Sequence, residues 1–291
     1  MNLSDAKYVD VKGIRTRYFE KGTGRTVILF HGGNFGSPHA ADCVADWNLN
    51  FDGLSQGCRV IAVDKIGQGL TDNPKKDEDY TMETVVQHAL NFLEILELEE
   101  CYLVGHSRGA YLTCRMTLIN PDRIKANIMV DTSTLAPGQG RNHIVFSKTP
   151  KPFLTRKSQR WVLENYSYNP GVVTESWLDE LVKVARSEKY LETVYKMQSG
   201  LLKNMFLPEL GRQKADTFKK LMLKGTSRPN FLIWGLNDPT ASIDQGFALY
   251  DLLAKKQSQT EMHIFNHAGH FSYREHPKAF NRLLIDYVNS F

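Results

Sequence analysis

The sequence predicts an α/β architecture: a mostly parallel sheet flanked by helices and interrupted by one long helical insertion. Three observations predict it. Short apolar runs of strand length alternate with stretches of helical periodicity. A serine framed by glycines stands where one such run meets a helix. From about Pro137 to Arg228 the alternation stops, and no buried strand can be read there.

The chain opens with Tyr8–Val11 and Arg15–Phe19 around Lys12-Gly13, the pattern of a hairpin. Thr26–Phe30, Arg59–Val63, Cys101–Val104, Ala126–Val130, Asn230–Trp234 and Glu261–Phe265 read as buried strands. Thr81–Leu98 carries Val85, Val86, Ala89, Leu90, Leu93 and Leu96 on one helical face, with Thr81 placed to cap it. Arg108–Ile119 is helical and stops before Pro121. Ile243–Lys255 and Pro277–Ser290 complete the outer helices. Neither an internal repeat nor a low-complexity stretch breaks this order.

The section between Pro137 and Arg228 is too long for a structureless loop, so it reads as a folded insertion. Helical patterns, proline breaks and the aromatics Phe153, Trp161, Tyr166, Tyr168, Trp177, Tyr190 and Tyr195 fill it. Residues 141–228 hold 17 Lys+Arg against 8 Asp+Glu, a basic balance on an otherwise mildly acidic chain. The expected division is a core of residues 1–136 and 229–291 with a helical cap of residues 137–228.

Composition narrows the function. Thirty-six Lys+Arg against 32 Asp+Glu leave +4 over 291 residues, too mild a charge to argue for nucleic acid. No apolar run approaches the ~18 residues that a membrane helix needs. The start, Met1-Asn2-Leu3-Ser4-Asp5, lacks the apolar core of a signal peptide. Cys43, Cys58, Cys101 and Cys114 are too scattered for a disulfide framework or a zinc knuckle. A reducing, cytoplasmic setting is therefore expected. Oligomeric state is left open, and a homo-oligomer is compatible with everything read.

Gly105-His106-Ser107-Arg108-Gly109 is the sharpest feature. A strand that turns at once into a helix passes through a tight corner, and the residue at its tip is held exposed above the sheet edge. The plain alternative is that Ser107 only caps the following helix. A serine hydroxyl needs a base to take its proton and a third group to orient that base. His88 falls within a helix, His263 within a strand and His31 at the head of a glycine turn, all positions that suit structural roles. His270 lies in the loop after the last strand, at the edge where catalytic groups of α/β sheets collect, and is the expected base. His267 is its rival, and no Asp or Cys cluster accompanies the two to make a metal site.

Asp238, just past Phe231–Trp234, is the expected orienting acid, with Asp131 as rival and a helix cap as the plain alternative. The order Ser107, Asp238, His270 is the Ser–Asp–His order of this architecture. An oxyanion needs two converging main-chain N–H donors. Arg108 offers one, and His31-Gly32-Gly33-Asn34, most of all Gly33, should offer the other. That turn could also be merely flexible.

At these residues the chain resembles the α/β-hydrolase fold over its whole length, an eight-stranded type of sheet with a cap. Within that fold it most resembles the meta-cleavage product hydrolases, which cut a C–C bond in ring-fission products of aromatic catabolism. Gly269-His270-Phe271, Glu275-His276-Pro277 and Phe280–Tyr287 are similar to that family's C-terminal segment, and Trp47-Asn48 to its Trp/Asn site. The resemblance implies that Asn48 touches a bound dienoate. The chain departs from the pattern in His106, where the family has Asn, in Phe271, where it has Trp, and in the longer Asn34–Asp46 segment. The family's cap arginine, which holds the substrate carboxylate, aligns with Leu181, leaving Lys183 or Arg186 to supply the charge.

Three functions compete. The first is a cofactor-free serine hydrolase cutting a C–C bond beside a ketone of a 2-hydroxy-6-oxo-dienoate, a small anionic, aromatic-derived substrate that the basic cap suits. The second turns the same groups on a carboxylic ester or lactone, which needs no carboxylate clamp. The third is a ligand-binding receptor that would keep its function when Ser107 is replaced by alanine. Dehalogenase and epoxide hydrolase chemistry on this fold uses an aspartate nucleophile, against which Ser107 argues. Gly32, Asn34, Asn48, His106, Trp161, Trp177 and Phe271 are the expected substrate-binding residues, with Tyr166 among the aromatics between cap and core.

Overall fold

The computed structural model describes residues Met1–Phe291. Strands β1 (Lys7–Val11) and β2 (Ile14–Lys21) form the opening hairpin. β3 (Thr26–Phe30), β4 (Arg59–Val63), β5 (Cys101–His106), β6 (Ile124–Val130), β7 (Asn230–Gly235) and β8 (Thr260–Phe265) follow. All eight lie in one sheet, in the order β1-β2-β4-β3-β5-β6-β7-β8. β1 and β2 are antiparallel to their neighbours, and the remaining six run parallel.

Every residue of β5 and β7 is buried, which is why these strands read as continuous apolar runs rather than alternating ones. Alternation still governs direction. Val27 and Leu29 of β3 enter the apolar layer on one face, and Ile28 and Phe30 enter the layer on the other. β8 at the edge is only partly covered and accommodates Glu261 and His263. The Met82–Ile95 helix starts where Thr81 accepts a hydrogen bond from the Thr84 N–H at 3.1 Å.

Between β6 and β7 there is no strand. Four longer α-helices, Arg156–Tyr166, Glu175–Ala185, Glu188–Lys196 and Leu207–Lys224, occupy most of that section, the last two joined by a π-helical segment, Met197–Phe206. Its buried face, including Trp177, Leu178, Leu181 and Tyr190, is continuous with the apolar layer of the sheet. A buried ion-pair set ties the two together. Arg17 of β2 donates through Nε to Asp64 at 2.6 Å and through Nη1 to Glu180 at 2.7 Å.

Parallel register brings the working ends of the strands to one edge. Phe30 lies opposite Gly105, His106 opposite Val130, and Val130 opposite Ile233. The segments that leave β3, β5, β6, β7 and β8 therefore emerge side by side.

Candidate active site

Ser107 follows β5 directly, with φ 53° and ψ −118°, outside the regions that a side chain prefers. Its N–H donates to the Val130 carbonyl at 2.8 Å, and the Arg108–Ile119 helix begins at the next residue. The flanking glycines permit the corner for a specific reason. A Cβ on Gly105 would collide with the Gly109 carbonyl, and one on Gly109 would stand 2.5 Å from the Phe30 oxygen. Ser107 makes no side-chain capping bond to the helix, so the plain capping role is not what its hydroxyl does here.

His270 lies in the segment after β8, fully buried, with its N–H donating to the Tyr166 carbonyl at 2.8 Å. Its Nδ1 stands 2.7 Å from Asp238 Oδ2. The other carboxylate oxygen, Oδ1, accepts from the N–H groups of Thr240 (2.7 Å) and Ala241 (2.9 Å) and from the Thr240 hydroxyl (2.9 Å). Thr240 Oγ1 also lies 3.1 Å from His270 Nδ1. Burial opposes the charged imidazole, yet Asp238 beside Nδ1 more than offsets it, and the His270 pKa is raised.

Asp131, the rival acid, is engaged elsewhere. It accepts from the Gly235 N–H at 2.7 Å and from the Ser272 hydroxyl at 2.6 Å. His267 is exposed and stacked on Tyr168. His31 is buried under the turn, its Nδ1 on the Gly32 carbonyl at 2.9 Å and its Nε2 accepting from the Lys65 N–H at 3.2 Å. No cluster of three or more His, Cys, Asp or Glu side chains is placed to hold a metal ion. All four cysteines are buried and unpaired.

Ser107 and His270 face one cavity of about 160 Å³. A single water needs ~10–15 Å³, so the space suits a small organic molecule. Gly33, Asn34, His106, Arg108, Tyr166 and Phe271 are among its walls. The Gly33 and Arg108 main-chain N–H groups take no partner within the chain. Tyr166, whose ring meets His270 edge-on at 5.1 Å, carries the helical section into the site.

Four of the expected substrate-binding residues do not line this cavity. Gly32 lies just behind it, where a Cβ would stand 3.0 Å from His106 Nδ1. Asn48 turns its Oδ1 to Arg274 Nη1 at 2.9 Å. Trp177 is fully buried, donates to Asp46 at 2.9 Å and lies under the Arg274 guanidinium, with its ring 5.1 Å from that of Phe271 on the cavity wall. Trp161 packs against the apolar layer instead. Nor does the section supply a cation from the expected positions. Leu181 is fully buried, Lys183 is exposed beside Glu180, and Arg186 is exposed.

Sequence reading overlooked Asp42, Lys65 and Thr240. Lys65 is buried and donates through Nζ to the carbonyls of Gly32 (2.7 Å) and Gly33 (3.1 Å). Asp42 lies against Gly33, where any Cβ would strike its carboxylate. The only signal of Asp42 and Lys65 was an acid and a base in loops following strands, which many solvated residues share, and Thr240 is an ordinary threonine two residues past Asp238.

Two family descriptions match parts of the chain: alpha/beta hydrolase fold over residues 26–148 and prolyl oligopeptidase family over residues 210–288. The 2-hydroxymuconate semialdehyde hydrolase of Pseudomonas sp. (strain CF600) is 24% identical, over 95% of this chain and 91% of that protein. Among solved structures, the meta-cleavage product hydrolase of Pseudomonas fluorescens IP01 superposes with a TM-score of 0.80 at 22% identity, covering 99% of both chains. The 2-hydroxy-6-oxo-6-phenylhexa-2,4-dienoate hydrolase of Rhodococcus sp. strain RHA1 gives 0.78 at 17% identity over 98% of both. The fold of this chain is the α/β-hydrolase fold.

Proposed function

We propose that this α/β-hydrolase-fold chain is a serine hydrolase, and that its reaction is cleavage of the C–C bond beside the ketone of a 2-hydroxy-6-oxo-dienoate-type substrate. One observation carries the hydrolase reading: Ser107 on its strained corner and His270, paired at 2.7 Å to Asp238, open onto the same cavity. Similarity to meta-cleavage product hydrolases along nearly the whole chain supports the C–C substrate.

In this reading His270 Nε2 takes the Ser107 proton as the hydroxyl oxygen adds to the substrate ketone. Asp238 holds Nδ1 and stabilises the imidazolium. The free N–H groups of Gly33 and Arg108 receive the oxyanion. The C–C bond then breaks, its electron pair passing to the dienoate carbon, which takes the proton from His270. An acyl group is left on Ser107. His270 next draws a proton from water, the resulting hydroxide equivalent adds to the acyl carbon, the bond from that carbon to Ser107 Oγ breaks with the His270 proton returning to Oγ, and the acyl group leaves as a carboxylic acid. No step of this sequence calls for a cofactor.

Residues 137–228 act as the cap over this cavity, as Tyr166 on its wall supports. No helix is long and apolar enough to cross a membrane. Four unpaired cysteines suit a reducing, cytoplasmic setting.

An ester or lactone substrate is the second reading, favoured by the absence of Leu181, Lys183 and Arg186 from the cavity wall. The test is turnover of a 2-hydroxy-6-oxo-dienoate, followed by loss of its visible absorbance, beside a short p-nitrophenyl ester, with wild type and Ser107→Ala. Dienoate cleavage that vanishes in the variant supports the C–C reading. Ester turnover with an inert dienoate replaces it with the second. A function that survives Ser107→Ala sinks both.

A further inference from the structure

The cavity carries charges that the hydrolytic reaction leaves unused. Arg108 lines it, and its guanidinium makes no hydrogen bond or ion pair with the chain, with Nη1 shielded from solvent and unpartnered. The group lies over the Phe206 ring, 5.4 Å from its centroid. The charged groups that bear on it are Asp42 from the segment after β3, Lys65 from the segment after β4 and Lys214 from the Leu207–Lys224 helix. Lys214 carries like charge, so it deepens the local positive potential instead of neutralising it. Asp42 also lines the cavity and faces Lys65, whose Nζ is held by the Gly32 and Gly33 carbonyls.

An unpaired guanidinium with one nitrogen shielded from water is costly to keep, and its planar fork of donors fits a carboxylate through two parallel hydrogen bonds. We infer that the Arg108 side chain is the carboxylate-binding group of this enzyme, taking the charged end of the substrate that no cation at Leu181, Lys183 or Arg186 receives. The inference rests on the serine hydrolase reading. It gives one residue two tasks: its main-chain N–H faces the oxyanion, and its guanidinium faces the carboxylate. Because Arg108 follows Ser107 directly, the distance between the reacting carbonyl and the charged end of the substrate is set within one turn of chain. Asp42 then discourages a second negative charge and favours a substrate that presents a hydroxyl donor near the carboxylate.

The test compares two p-nitrophenyl esters of equal acyl length, mono-p-nitrophenyl glutarate with a free carboxylate and p-nitrophenyl valerate without one. Wild type should prefer the glutarate ester. In Arg108→Met the ratio of kcat/KM values should fall toward one, a loss on the order of 30-fold or more carried mainly by KM. Arg108→Lys should retain part of the preference, and Asp42→Asn should keep or raise it. Lys183→Ala and Arg186→Ala should leave the ratio as it is. Binding of free glutarate by calorimetry gives a second readout, present in wild type and lost in Arg108→Met. A ratio and a glutarate affinity unchanged by Arg108→Met, or a ratio abolished by Lys183→Ala or Arg186→Ala, overturns the assignment. Failure of the underlying reading looks different: a fluorophosphonate would not label Ser107 and neither ester would turn over, while glutarate binding would still report on Arg108.

Discussion

His106 Nε2 donates to the main-chain carbonyl of His270 at 2.8 Å, so the residue before Ser107 holds the backbone of His270. A carbonyl can only accept, which fixes the proton on Nε2 and leaves Nδ1 facing the Tyr273 hydroxyl at 3.5 Å. Burial, followed by the like charge of His270, holds the His106 pKa well below the ordinary value, so the ring stays neutral. Replacing it with alanine should lower kcat about 10–10²-fold by loosening His270, the scale on which small misplacements act. His106→Asn, which can still donate an N–H, should recover part of the rate. Equal rates in all three proteins would show that this bond does not position the base.

Asp238→Asn should reduce kcat by about 10⁴-fold, because an amide can donate to Nδ1 and so favour the wrong tautomer of His270. Thr240 bonds both partners of the pair, so Thr240→Val should cost far less, about tenfold, with KM unchanged. Steady-state kinetics on either ester or dienoate checks both.

In the proposed reaction His270 must be neutral to accept the Ser107 proton. Burial lowers the His270 pKa, and Asp238, through its charge and its hydrogen bond, raises it by more, so the balance is a raised value. The acidic limb of kcat/KM for the free enzyme should accordingly rise through a pH above the histidine reference of 6.5. Removing the charge in Asp238→Asn should move whatever limb remains to lower pH. A limb that stays in place would mean that another group sets it.

His88 donates through Nε2 to Thr16 Oγ1 at 2.9 Å, that hydroxyl itself donating to the Ile14 carbonyl. Burial depresses its pKa from 6.5 to about 4. The unfolded chain therefore binds a proton that the folded one refuses, and stability falls as pH drops below 6.5 toward 4. Between pH ~7.5 and ~5 the wild type should lose about 2 kcal/mol more than His88→Gln. Urea midpoints at the two pH values measure the difference, and parallel curves would refute it.

Arg17, Asp64 and Glu180 are all at least 95% buried, so removing the shared cation strands two carboxylates out of water. Arg17→Met should destabilise the fold by about 3–5 kcal/mol. The same substitution should loosen the attachment of the Glu175–Ala185 helix, read as faster proteolysis within residues 137–228. Asp64 would keep bonds from the Val44 and Leu70 N–H groups (2.7 and 2.8 Å), whereas Glu180 would keep the longer contact with Lys183 Nζ at 3.5 Å, so the larger local change is expected at Glu180.

Much of this was legible in the residues. β3 and β4 and the Arg108–Ile119 helix begin and end where apolar run, cap and proline say they should, because those signals act over a few residues. The Thr81 cap, the corner at Ser107 and the loops holding Asp238 and His270 are likewise local. What misled was contact between distant segments. Trp177 and Asn48 both look like ligand residues in sequence, and both are occupied by Arg274 instead. Nothing local to any of the three reports that meeting.

By itself, then, the sequence determined what stands at the strand ends: Ser107 past β5, Asp238 and His270 past β7 and β8, and a basic helical section between β6 and β7. Only the tertiary structure decided which side chains are left without partners. Lys183 finds Glu180, Asp131 finds Ser272, and Arg17 finds Asp64 and Glu180, while Arg108 Nη1 and Asn34 Oδ1 on the cavity wall find no partner. The physical reason is that a residue's type sets which bonds it can make. Whether those bonds are already satisfied depends on what long-range packing brings within about 3 Å of it.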